Sequence, residues 1–128
     1  MKILGLGVDI IKHSRIKNSI KNPNFKNRIF SSNELKQLNL SKNETNYFSN
    51  RFAAKEAFAK ALGTGFRSNL NFKDIEIVHN KLGKPSYLKT KKITKLIQKN
   101  FKVKDFNCFL SISDEEDYST AFAIIQSL

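Results

Sequence analysis

Cysteine, proline, acidic side chains and long apolar runs are all scarce in this chain of 128 residues, and each shortage removes a class of protein. A single cysteine, Cys108, excludes an intramolecular disulfide, so a disulfide scaffold is ruled out and a cytosolic compartment is the simplest expectation. Cys108 itself reads as a small buried apolar residue rather than a nucleophile. No apolar run is long enough to cross a bilayer. The opening MKILGLGVDII sets one lysine before an apolar stretch, as a secretion signal does, but Asp9 interrupts it and no small-residue cleavage site follows. With two prolines, five glycines, no repeat and no low-complexity block, there is no linker, and one domain over residues 1–128 is expected.

Only 11 Asp and Glu stand against 23 Lys and Arg, a formal charge of +12, which favours an anionic partner. Nucleic acid, a membrane surface, a phosphorylated small molecule and an acidic protein all satisfy that charge, and so do lysines that merely solvate an ordinary surface. What is abundant is core material: 40% apolar residues, eleven of them phenylalanine.

The pattern along the chain predicts an α+β fold. KILGLGVDII is a strand whose alternation puts Leu4, Leu6, Val8 and Ile10 on a core face, and Gly5, Gly7 and Asp9 on a bare face that something can approach closely. A short basic helix follows in KHSRIKNSIK, with Ile16 and Ile20 as its apolar stripe, and Asn22-Pro23-Asn24 breaks it. Ser31 and Glu34 form a capping-box signature for the next helix. The longest helical pattern runs from about Thr45 to Leu62, closed by Gly63 as a left-handed cap. DIEIV and SYLKT flank the turn NKLGKP; KKITKLIQKNF has helical spacing at Ile93, Leu96, Ile97 and Phe101; CFLSIS and STAFAIIQ are two closing strands around DEED.

Against that background Asp9 and Glu56 stand out as carboxylates in small or apolar surroundings. They read in two ways. Glu56 can pair with Lys60 one turn on while Asp9 caps the helix after its strand. Alternatively, the fold brings both together to hold Mg²⁺ shared with a substrate phosphate. Arg51, Lys55 and Lys60, followed by the Gly63-Thr64-Gly65 turn and its amides, suggest a phosphate site. It is neither a Walker A loop nor a G-x-G-x-x-G fingerprint.

Four stretches occur in one order: GLGVDII with Arg15, RFAAKEAFAKALGTGF at 51–66, DIEI and GKP within 74–85, and LSIS at 110–113. The set closely resembles holo-[acyl-carrier-protein] synthase, the small stand-alone type of 4′-phosphopantetheinyl transferase. The resemblance implies that family's fold, an antiparallel-type sheet packed with a long central helix. It also implies transfer of phosphopantetheine from coenzyme A to a serine of apo acyl carrier protein, in fatty acid and lipid biosynthesis. Asp9 and Glu56 would hold Mg²⁺, Glu56 and Lys60 would act in catalysis, and Arg51, Lys60, Gly63, Thr64 and Gly65 would contact coenzyme A. Arg15 and Arg28 would face the acidic carrier protein, and the assembly would be a homotrimer with sites between subunits. In one place the chain departs from the pattern: Asp114 stands where the family often has a histidine facing a coenzyme A phosphate. Asp114 then turns away, orients a nearby lysine or arginine, or weakens coenzyme A binding. His13 and His79 do not take that place and read as surface histidines. The competing class is a small basic nucleic-acid-binding module, with a membrane-surface protein a weaker rival. The phenylalanines, however, fall at core spacing, no RNA-binding or zinc signature appears, and the basic helix has too little apolar surface to anchor.

Overall fold

The computed structural model describes residues 1–38, 43–67 and 69–128. Its elements are β1 (Lys2–Lys12), α1 (His13–Ser19), α2 (Pro23–Ile29), α3 (Ser32–Gln37), α4 (Glu44–Leu62), β2 (Ile77–His79), β3 (Pro85–Tyr87), α5 (Lys91–Phe101), β4 (Phe106–Asp114) and β5 (Tyr118–Ser127). β1, β5 and β4 form an antiparallel sheet in that order, and β2 pairs with β3 as a separate hairpin.

α4 is the centre of the molecule because its alanines and phenylalanines let neighbours cover most of its circumference, so that even Ser49 and Lys55 on it are buried. Phe48, Phe58, Ala53, Ala54, Ala57, Ala61 and Leu62 are all buried. Side chains that fully buried contribute about 1.5–3 kcal/mol each when large. The sheet lies on one side of α4. On another, Phe52 stacks on Phe72, which stacks in turn on Phe66, and Phe30 packs against Phe48. Asn43 starts the helix by accepting from the Asn46 amide, and Gly63, at φ +81°, ends it.

The sheet is inverted relative to the expectation from alternation. Leu6, Val8 and Ile10 are 57%, 52% and 62% exposed, whereas the glycine and aspartate face turns inward. Alternation defines two faces but not which one is covered, and here what approaches the glycine face is α4 itself. A β-carbon added to Gly7 would sit 1.8 Å from the Ala57 carbonyl oxygen, and one at Gly5 would sit 1.8 Å from that of Ala61. Only glycine lets strand and helix meet backbone to backbone. The outward row continues across the sheet, since Val8 pairs with Phe122, and Ile124 joins Leu6 to Phe109.

Asn22-Pro23-Asn24 both ends α1 and begins a helix that the pattern did not show. Asn22 caps it by accepting from the Asn24 amide, and Pro23 takes the first helical position, where its missing N–H costs nothing. The capping box of α3 forms as expected, with Ser31 Oγ accepting from the Glu34 amide and a Glu34 carboxylate oxygen accepting from the Ser31 amide.

Candidate functional site

At the open end of the glycine seam three expected residues meet. β1 delivers Asp9, and α4 delivers Glu56 and Lys60 one turn apart. Lys60 Nζ donates to Asp9 Oδ1 at 3.2 Å and to the Val8 carbonyl at 3.0 Å. The helix pair with Glu56 and the helix cap by Asp9 are both set aside by this arrangement. Lys60 reaches across to the strand, and the residue that caps α1 is Lys12, without a side-chain bond.

Burial pushes the Asp9 carboxyl above its ordinary value, opposed by Lys60 and Arg15. Glu56 is raised too, first by burial and then by the negative charge of Asp9, while Lys60 and Arg15 oppose the rise. The charge of Asp9 therefore reaches Glu56, and a cation between the two would relieve it. Among the described residues no group of three or more His, Cys, Asp and Glu side chains is arranged to hold a metal ion. A pair of hard oxygen donors suits an ion that keeps its own water and shares a substrate's oxygens. Arg15, on α1, also lies against Phe52 of α4, with its guanidinium carbon 5.8 Å from the ring centre, and it leans toward the same carboxylates.

Arg51 goes elsewhere. Five residues of helix turn it about 140° from Glu56. There its guanidinium lies 3.5 Å over the Tyr47 ring, and Nη2 meets His79 Nδ1 at 3.2 Å. Arg51 is almost wholly buried, and its Nε finds no partner. It lines a concavity with Asn33, Gln37, Glu76, Val78 and His79. His79 is exposed, as expected, yet it is engaged by Arg51, and partial burial and the Arg51 charge both lower its pKa. Within one chain Arg51 and Lys60 cannot touch the same small group.

Lys55 does not belong to a phosphate site. It is wholly buried, pairs with Glu34 Oε1 at 2.7 Å and donates to the carbonyls of Phe72 and Ile75. Glu34 also accepts from the Ile77 amide, so this ion pair fastens the segment before β2 to α4. The amides of Gly63 and Gly65 are likewise taken, bonding to the carbonyls of Lys60 and Ala59 as the helix cap requires. The turn at Gly63, Thr64 and Gly65 thus does not direct its two glycine amides at an anion. Arg28, on α2, is exposed and lines a shallow surface hollow with Asn18, Asn22 and Phe25.

Among the described residues Asp114 meets neither a lysine nor an arginine. Its Oδ2 accepts from Asn46 Nδ2 at 3.1 Å and Asn50 Nδ2 at 2.7 Å, both on α4. His13, expected at the surface, is buried: Nδ1 lies 2.9 Å from the Glu116 carbonyl and Nε2 2.7 Å from Ser119 Oγ. Neither contact was visible in the spacing of the residues, because both partners lie more than a hundred residues away.

Compared with known proteins, residues 5–123 match the family model described as the 4′-phosphopantetheinyl transferase superfamily. A holo-[acyl-carrier-protein] synthase of Pelagibacter ubique is 57% identical over 98% of both chains. The crystal structure of the synthase from Neisseria meningitidis superposes with a TM-score of 0.88 at 38% identity, covering 98% of this chain and 99% of that one. The Bacillus anthracis synthase, solved in complex with CoA (3′,5′-ADP), gives 0.82 at 31% identity with both chains fully covered. The chain belongs to the holo-[acyl-carrier-protein] synthase family of 4′-phosphopantetheinyl transferases.

Proposed function

We propose that this chain transfers 4′-phosphopantetheine from coenzyme A to a serine of apo acyl carrier protein, releasing adenosine 3′,5′-bisphosphate, as one domain over residues 1–128. The observation that carries the residue assignment is the meeting of Asp9, Glu56 and Lys60 at the end of the seam between β1 and α4. Asp9 and Glu56 would hold Mg²⁺: two dehydrated carboxylates are the donor set that a hard, partly hydrated cation prefers. Bound there, the ion would neutralise the coenzyme A pyrophosphate.

The remaining work falls to the chain. The serine oxygen forms a bond to a pyrophosphate phosphorus as the bond from that phosphorus to the departing adenosine bisphosphate breaks, and the leaving oxygen takes the electron pair. Lys60, 55% exposed along its side chain, can turn from Asp9 to steady that charge. Glu56, one helical turn before Lys60, would accept the serine proton. Arg15, beside the carboxylates, and Arg28 would meet the acidic carrier, whose encounter a charge of +12 speeds.

The assembly reading is a homotrimer. An exposed apolar row of Leu6, Val8, Ile10, Phe109 and Phe122 runs across the outer face of the sheet, the kind of face that copies bury against one another, which supports the trimer. It also gives Arg51 a role, contacting coenzyme A held against the Asp9 and Lys60 of a neighbouring copy. A cytoplasmic location belongs to the same proposal; among the described residues no helix is long and apolar enough to cross a membrane.

The test is the intact mass of an apo acyl carrier protein after incubation with the chain, coenzyme A and Mg²⁺. A gain of one phosphopantetheine group that EDTA prevents is expected. No gain on a carrier that another transferase does modify overturns the proposal and restores the nucleic-acid reading.

A further inference from the structure

The hydrogen bonds around His13 fix their own direction. The Asp114 carboxylate can only accept, so the Asn50 amide must turn Nδ2 toward it and leave Oδ1 as an acceptor. Ser119 Oγ donates its one proton to that Oδ1. The hydroxyl therefore has only lone pairs left for His13, and Nε2 must donate to it. The Glu116 carbonyl also only accepts, so Nδ1 must donate as well. Both ring nitrogens carry protons when every bond in the chain is made; the neutral ring leaves one unmade, in a place where His13 and Ser119 are buried.

This chain of bonds joins three elements. His13 is the first residue of α1, and its own amide donates to the Asp117 carbonyl. Ser119 is the second residue of β5, and Asn50 sits on α4. Among the described residues the charged groups that line the same hollow as His13 are Asp114 at the end of β4, Glu115, Glu116 and Asp117 of the turn after it, and Lys17 of α1, while the α4 residues there, Thr45, Asn46 and Asn50, are neutral. Two residues further along α1 stands Arg15.

We propose that His13 is a positioning residue for carrier-protein docking: its ring, held by Glu116 through one nitrogen and Ser119 through the other, fixes the start of α1 and so aims Arg15. This rests on the reading above that α1 meets the carrier. It also gives Asp114 a function in this chain, as the carboxylate that orients Asn50 and through it the hydroxyl of Ser119.

Steady-state transfer with apo carrier and coenzyme A varied separately decides it. His13→Gln should raise the KM for carrier about tenfold, the change expected for one lost hydrogen bond to a charged group, and leave the KM for coenzyme A and kcat within about twofold. Ser119→Ala should move the same constant in the same direction. A merely structural histidine would instead lower kcat or raise both KM values together, and equal losses toward both substrates overturn the proposal. A wild-type chain that modifies no carrier defeats the function itself and this role with it, an outcome distinct from an active enzyme whose carrier KM ignores His13.

Discussion

Replacing Gly7 by alanine tests whether the site is held by backbone contact. The new β-carbon would lie 1.8 Å from the Ala57 oxygen and 2.7 Å from the Ala61 nitrogen, both backbone atoms of a helix that is buried over most of its circumference. Relieving the first contact to an ordinary separation needs a retreat of more than an ångström, and no rotamer change can supply it. Overpacking a well-filled interior costs about 1–3 kcal/mol, and a clash between two backbones belongs at the upper end. At this chain length about 3 kcal/mol lowers Tm by roughly 10 °C. Because Asp9 follows Gly7 on the strand and Glu56 and Lys60 ride on the helix, the same retreat separates them. A displacement near 1 Å costs a positioned site roughly a hundredfold. The measurement is a thermal melt alongside transfer at a temperature where both proteins are folded. If Gly7→Ala melts within about 2 °C of the wild type at an unchanged rate, the seam does not set the site.

Other outcomes follow from neighbouring residues. Asp9→Ala and Glu56→Ala should each abolish Mg²⁺-dependent transfer and keep the fold by circular dichroism; full rate in either removes that residue from the metal assignment. Lys55→Met strands the buried Glu34 carboxylate and should cost about 3–5 kcal/mol in urea unfolding, while pairing it with Glu34→Leu should recover part of the loss. No gain on pairing would mean the two charges do not act together. In the metal-free chain, Glu56→Gln should stabilise slightly. The folded carboxyl is raised, so its ionised form carries a cost at pH 7 that disappears in acid below its unfolded pKa. Solvent screening keeps that gain to about 2 °C at neutral pH, and a gain that persists in acid contradicts the cause given.

Local chemistry was the legible part of the sequence. The Ser31 and Glu34 box, the Gly63 cap and the stripe of α5 follow from contacts within a few residues, and spacing shows those. Asp9, Glu56 and Lys60 stood out by their surroundings, resemblance to known motifs chose between their two readings, and the fold brings these residues together. What spacing could not show were second roles. Glu34 caps its helix and also neutralises Lys55 twenty-one residues on; Pro23 ends one helix and opens the next. The sheet was assigned inside out because an alternating strand carries no label for its covered side, and the deciding fact is a distant helix built of alanine. His13 was hidden for the same reason: nothing near it in sequence announces Ser119.

That Arg51 and Lys60 leave α4 on nearly opposite sides has a genetic consequence. If coenzyme A lies between copies, a chain with Arg51→Ala still donates an intact lysine, and one with Lys60→Ala an intact arginine. Two separately inactive variants, unfolded and refolded together, would then form some whole sites at mixed contacts. A cell carrying both defective alleles could make holo carrier protein that neither allele makes alone.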